Sequence, residues 1–201
     1  MKILICSDGT APAESAIRLG GLLAGSVRAE TTLLGITENP ADERSLRDAL
    51  EGQSQSLHAE NVFPEVVVRA GEPIRQILKQ TSTTTYDLVV IGSRKREATG
   101  RYWRSRRTYE VIKAILPPVL VAIGECKRLK RFLVCTGGKE FIGEAVQLTG
   151  KLAAAVGASV TLLHVMAEDT KSLELALERI RATQGVTRTV TEVVLSTLFT
   201  R

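Results

Sequence analysis

Along the first 124 residues, short apolar runs alternate with longer segments of helical period. Lys2–Cys6 (KILIC), Thr31–Thr37 (TTLLGIT), Glu65–Arg69 (EVVVR), Asp87–Ile91 (DLVVI) and Val119–Ile123 (VLVAI) are nearly continuous in leucine and β-branched residues. Runs of that kind predict parallel strands buried on both faces, where a polar side chain would have no water to meet. Between them, Ala13–Ala24, Ala41–His58, Glu72–Thr81 and Arg104–Leu116 predict helices. Pro73 suits a first helical turn, whose N–H groups have no partner inside the helix. The pair Pro117–Pro118 stops the fourth helix before the fifth strand. The resulting βαβαβαβαβ order calls for right-handed crossovers and a parallel sheet with helices on both faces. In such a sheet ligands sit beyond the carboxyl ends of the strands, at the point where the strand order reverses.

The pattern then starts again. A shift of 129 positions lays FLVCTGG (Phe132–Gly138) on ILICSDG (Ile3–Gly9), AVQLTGKLA on AIRLGGLLA, and ASVTLLHV on AETTLLGI, without a gap. About a third of these positions are identical, which is the signature of an internal repeat. The copy continues with an expected helix over Lys171–Thr183 and an expected strand over Thr191–Thr197, and has no counterpart of strands four and five. The expected organisation is a complete domain over 1–125 and a partial second domain over 130–201. In a sheet of order 3-2-1-4-5, loss of strands four and five leaves strand one of the copy as an uncovered edge.

Composition narrows the class. The 201 residues are 44% hydrophobic, enough for a buried core. No segment approaches the ~18 apolar residues of a membrane span. The three cysteines, Cys6, Cys126 and Cys135, form no metal-ligand spacing and imply a reducing, cytoplasmic setting. His58 and His164 stand alone, with no triad or metal pattern around them. The net charge of +5 is unevenly placed. Arg94, Lys95, Arg96, Arg101, Arg104, Arg106 and Arg107 face the single acid Glu97, so this window holds more than the whole net charge and the remaining chain is slightly acidic.

That basic window occupies the connection between strand four and helix four. The succession KILICSDGT, VRAGEPIRQIL, YDLVVIGS and EVIKAILPPVLVAI resembles the universal stress protein family over residues 1–124, and over 130–197 as a partial second domain. The resemblance implies a Rossmann-like α/β fold, a cytoplasmic location, pairing as a homodimer or between tandem domains, and binding of ATP or AMP in one branch. In that branch an Asp after strand one meets the adenine or ribose, a place taken here by Asp8 with Ile36 at the end of strand two. A loop of form G-x2-G-x9-G-[S/T] wraps the phosphates. Gly92, followed by Ser93, matches the first glycine; Lys95 falls on the second, Ser105 on the third and Arg106 on the Ser/Thr, with Thr108 two residues on.

One glycine of three therefore survives. Glycine lets backbone N–H groups approach phosphate oxygens closely and reaches positive φ without a Cβ penalty. Lysine at 95 exchanges that approach for a side-chain charge. Asp8 is also readable as a turn-forming or capping carboxylate, and its repeat partner is Gly137. Neither a catalytic base nor a metal site accompanies the loop, so the expected function is a binding or regulatory module of the stress response, with weak ATP hydrolysis left open. The alternative is an interaction protein without nucleotide, docking an acidic partner or nucleic acid through residues 94–107. Tyr102, Trp103 and Tyr109 among the arginines favour stacking on bases, but the near-neutral body and lack of any nucleic-acid module place that version last.

Overall fold

The computed structural model describes residues 1–93, 106–124, 126, 128–136 and 142–164. The chain divides into two compact units, residues 1–127 and 128–201. In the first, β1 (Lys2–Ser7), β2 (Glu30–Thr37), β3 (Glu65–Ala70), β4 (Leu88–Ser93) and β5 (Val119–Ile123) form one parallel sheet in the order β3-β2-β1-β4-β5. Helices α1 (Ala11–Val27), α2 (Glu43–Leu57), α3 (Pro73–Thr83) and α4 (Arg106–Ala114) connect successive strands. This is the expected α/β fold and strand order.

Burial follows position in the sheet. Ile3, Leu4 and Ile5 of β1, Leu33 and Leu34 of β2, and Val89 and Val90 of β4 are fully buried. The outer strands differ from the expectation of burial on both faces: β3 and most of β5 are only half-buried, because each has a neighbour on one edge alone. One face of the sheet packs Leu4, Cys6, Leu34, Ile36, Val89 and Ile91 against Ile77 of α3, Val111 of α4 and Ile115 just past its end. Alternation along β1 turns Ile5 to the opposite face, where it meets α1 at Gly20.

Helix ends are set by caps that the periodicity only approximates. Glu72, expected inside the third helix, is extended and accepts hydrogen bonds through its carboxylate from the N–H groups of Ile74 (3.0 Å) and Arg75 (2.8 Å), so α3 begins at Pro73. The stretch from Pro40 to Asp42 is a 3-10 turn opened by Asn39, whose side chain accepts from the N–H of Ala41, and α2 starts only at Glu43. Helix α4 ends at Ala114, two residues earlier than Leu116. A buried polar chain ties α3 to the sheet: Arg69 donates to Gln80 Oε1 (2.9 Å), Gln80 Nε2 to Tyr86 Oη (2.8 Å), and Tyr86 Oη to Thr32 Oγ1 (3.1 Å).

The second unit contains β6 (Arg131–Thr136), α5 (Ile142–Val156) and β7 (Ser159–His164), with β6 and β7 paired in parallel. Its geometry carries the 129-residue offset. Lys2 pairs with Glu30 and Arg131 with Ser159; Ser7 pairs with Gly35 and Thr136 with His164. Helix α1 ends in left-handed Arg28 (φ 50°) and α5 is followed by left-handed Gly157 (φ 65°). The N–H of Ala29 reaches the carbonyl of Ala24 at 2.9 Å, and that of Ala158 reaches Ala153 at 2.9 Å. Burial does not repeat. Leu4 is 0% exposed, whereas Leu133, its counterpart, is 62% exposed. The expected helix at 171–183 and strand at 191–197 lie outside the described residues.

Two consequences are measurable. A Cβ on Gly25 would lie 2.4 Å from the backbone carbonyl oxygen of Glu60, so the two segments touch only because that side chain is missing. Gly25→Ala gains about 1 kcal/mol of helix propensity yet forces a backbone shift costing about 1–3 kcal/mol; a urea midpoint no higher than that of the unaltered chain is expected, and a raised one would contradict the contact. Burial pushes the Cys6 thiol up to about 12, so it stays protonated at ordinary pH. Iodoacetamide at mildly alkaline pH should modify exposed Cys135 and spare Cys6 until the first unit unfolds, as peptide mass mapping would show.

Candidate functional site

The carboxyl ends of β1 and β2 open into a cleft of ≈ 450 Å³, and Asp8 and Ile36 both line it. The β1–α1 connection builds one wall. Ser7 Oγ accepts the N–H of Gly9 (3.1 Å), and Gly9 holds φ at +76°, a conformation that glycine takes without strain. Asp8 Oδ1 accepts both the N–H (3.0 Å) and the hydroxyl (2.6 Å) of Thr10, the residue at the N-cap of α1. The turn-forming role read from the sequence is therefore in place, without a helix cap, and the carboxylate is still exposed at the cleft.

The other wall comes from residues that sequence patterning passed over. Thr37 and Glu38 leave β2, Asp42 ends the 3-10 turn, and Ser45 and Leu46 belong to the first turn of α2. The Asn39–Pro40 pair was the available signal. Such a pair marks a turn, and a turn at the carboxyl end of a strand next to β1 must border the same cleft. Asp8, Glu38 and Asp42 give this lining three carboxylates, and none of its residues is Lys or Arg. Its carboxylates suit hydroxyl and amino donors and repel a phosphate.

Gly92 and Ser93 stand elsewhere, at the carboxyl end of β4 on the other side of β1. β1 and β4 pair from Ile3–Leu88 to Ile5–Val90, so Gly92 and Ser93 lie beyond the last paired residues of the two strands. Helix α4 opens at Arg106 and has Thr108 in its first turn. Its N-terminal N–H groups are a potential partner for negative charge. Lys95 and Ser105 lie outside the described residues, as does most of the basic window. So Asp8 and Ile36 share one cleft, Gly92 and Ser93 end the adjacent strand, and Arg106 and Thr108 begin the helix that follows. Among the described residues no group of three or more His, Cys, Asp or Glu is arranged to hold a metal ion, and no helix is long and apolar enough to cross a membrane.

Comparison with known proteins agrees with this architecture. Residues 1–122 match the family model for the universal stress protein family. Among solved structures, the chain is similar to a universal stress protein from Archaeoglobus fulgidus DSM 4304, with TM-score 0.69, 17% identity, and coverage of 92% of this chain and 75% of that one. A second structure, of universal stress protein from Archaeoglobus fulgidus, gives TM-score 0.53 at 21% identity over 61% of this chain and 98% of that one. A universal stress protein in complex with cAMP gives TM-score 0.50 at 16% identity over 61% and 95%. At such identities the likeness concerns the fold. No curated protein matches the sequence.

The Asp8 geometry separates its turn-forming role from its charge. Asparagine keeps the Oδ1 acceptor for Thr10 and alanine removes it. Asp8→Asn should hold stability within about 0.5 kcal/mol, and Asp8→Ala should lose about 1 kcal/mol, by chemical denaturation. Equal loss in both variants would show that the charge, not the acceptor, shapes the turn.

Proposed function

The chain belongs to the universal stress protein family, and we propose that it is a binding or regulatory module of the stress response, cytoplasmic and non-catalytic, whose first unit takes an adenine nucleotide or a related anion. The observation that carries this reading is the division of the strand ends into two chemically different parts. The acidic cleft at Asp8 and Ile36 offers acceptors to a base and ribose. The end of β4 at Gly92 and Ser93, with Lys95 and Ser105 following and Arg106 and Thr108 opening α4, offers positive charge and backbone donors to phosphate. A nucleotide laid across the reversal point between β2 and β4 would meet each part with its matching end. The similar structure solved with cAMP supports the same ligand class.

Residues 130–201 are read here as a partial second domain, on the strength of the shared β-α-β register. Pairing as a homodimer or between domains would cover its open strand edge. A second functional reading is favoured by the seven basic residues within 94–107: docking of an acidic partner or nucleic acid without nucleotide. Binding to a generic oligonucleotide that falls steeply with salt would support it.

Thermal-shift and calorimetric titrations with ATP, AMP and cyclic AMP test the leading reading. A ligand at 100 times its Kd stabilises the folded form by about 2.7 kcal/mol. A raised Tm is expected for at least one nucleotide, with the response reduced in Asp8→Ala and in Lys95→Glu. Absence of any shift at millimolar nucleotide would retire the proposal.

A further inference from the structure

Strand β3 ends one side of the first sheet, and among the described strands only β2 lies beside it. Its sequence, EVVVRA, sets three valines between an acid and a base, and every residue after Glu65 is half-buried. The open edge of such a strand is a template for another strand. The ladder shows which backbone groups are free. Gly71 donates its N–H to the carbonyl of Thr37 at 2.8 Å, so alternation turns the backbone groups of Arg69, Val67 and Glu65 toward β2. Those of Val66, Val68 and Ala70 point outward.

Arg69 is the second sign that this edge is incomplete. It is half-buried on the sheet face that carries α3, where it donates to the neutral amide of Gln80 at 2.9 Å. Its Nε is shut from water without an acceptor, and no carboxylate pairs with it among the described residues. A guanidinium so placed has lost water without gaining a counter-charge. Glu65 shares that face by the two-residue period, exposed and equally without an ionic partner among the described residues.

We propose that β3 pairs antiparallel with β3 of a second copy of this chain, about a two-fold axis at Val67. In that register Glu65 of each copy lies opposite Arg69 of the other, and Val66 lies opposite Val68. The backbone agrees with the charges. Val66 and Val68, whose N–H and C=O groups point outward, form the hydrogen-bonded pairs. Glu65 and Arg69 fall on a non-hydrogen-bonded pair, where opposite side chains approach most closely. An axis at Val68 would set Glu65 against Gly71 and Arg69 against Val67, losing both ion pairs. The contact uses one self-complementary patch twice and is independent of the nucleotide reading.

Cross-linking of the full chain tests the register. In Cys126→Ser/Cys135→Ser protein, with Cys6 buried, Val67→Cys sets two thiols across the axis. Non-hydrogen-bonded partners have Cα atoms about 4.5 Å apart, within disulfide reach. Mild oxidation should give a covalent dimer about 10-fold faster than in Val66→Cys, which meets Val68 of the second copy instead of itself. Adding Glu65→Lys to Val67→Cys should slow the reaction about 3- to 30-fold, through two pairs turned repulsive. Arg69→Glu should slow it likewise, and mixing these two variants should restore the rate, because both pairs become attractive again. Thermal melts establish that each variant is folded; should Arg69→Glu not fold, the other arms decide. Equal rates at positions 66 and 67, indifference to Glu65→Lys, no covalent dimer at all, or no recovery on mixing folded variants would each overturn the proposal.

Discussion

The first unit depends on the enclosure of β1. Ile3, Leu4 and Ile5 have no exposed surface, since β2 and β4 flank the strand and helices cover both faces. Burying side chains of this size is worth about 1.5–3 kcal/mol each, so one tripeptide supplies a large share of a domain's net stability. The same enclosure places the site. A strand walled on every side can be reached only at its end, and there Ser7, Asp8 and Gly9 turn the chain into α1.

The second unit repeats this geometry along the chain without repeating the burial. The register of β6 on β7 repeats that of β1 on β2 residue for residue, and the helix-to-strand bond at Ala158 repeats the one at Ala29. These are local consequences of similar sequence. Leu133 nonetheless stands exposed where Leu4 is sealed, and around Leu4 the sealing comes from residues distant along the chain, such as Val89, Ile77 and Val111. An identical leucine at an equivalent position therefore contributes to a core in one half and to the surface in the other.

The fold was largely legible because buried parallel strands leave an unusual trace, apolar runs such as DLVVI and VLVAI that need no alternation. Boundaries were less so. Glu72 has good helix propensity and fits the period of the third helix, yet its carboxylate does more by accepting two N–H groups at the helix start. At the site, Asp8 and Ile36 were readable from their places at strand ends, and both line the cleft. Glu38 and Asp42 were missed, since a carboxylate in a turn carries no periodic signal and becomes a cleft residue only when α2 folds back over β2. The basic window had drawn attention to phosphate, while the lining of the described cleft proves acidic.

What the sequence determined by itself was the order of elements, the strand order expected of that succession, the internal repeat, and the substitution of lysine for glycine at position 95. All of these are carried by neighbouring residues or by fixed spacings along the chain. Only the tertiary structure decided which of two equivalent leucines is buried and which carboxylates share a cleft. Those properties depend on atoms brought together from distant segments, and burial, electrostatic surroundings and unmet hydrogen bonds exist only once they meet.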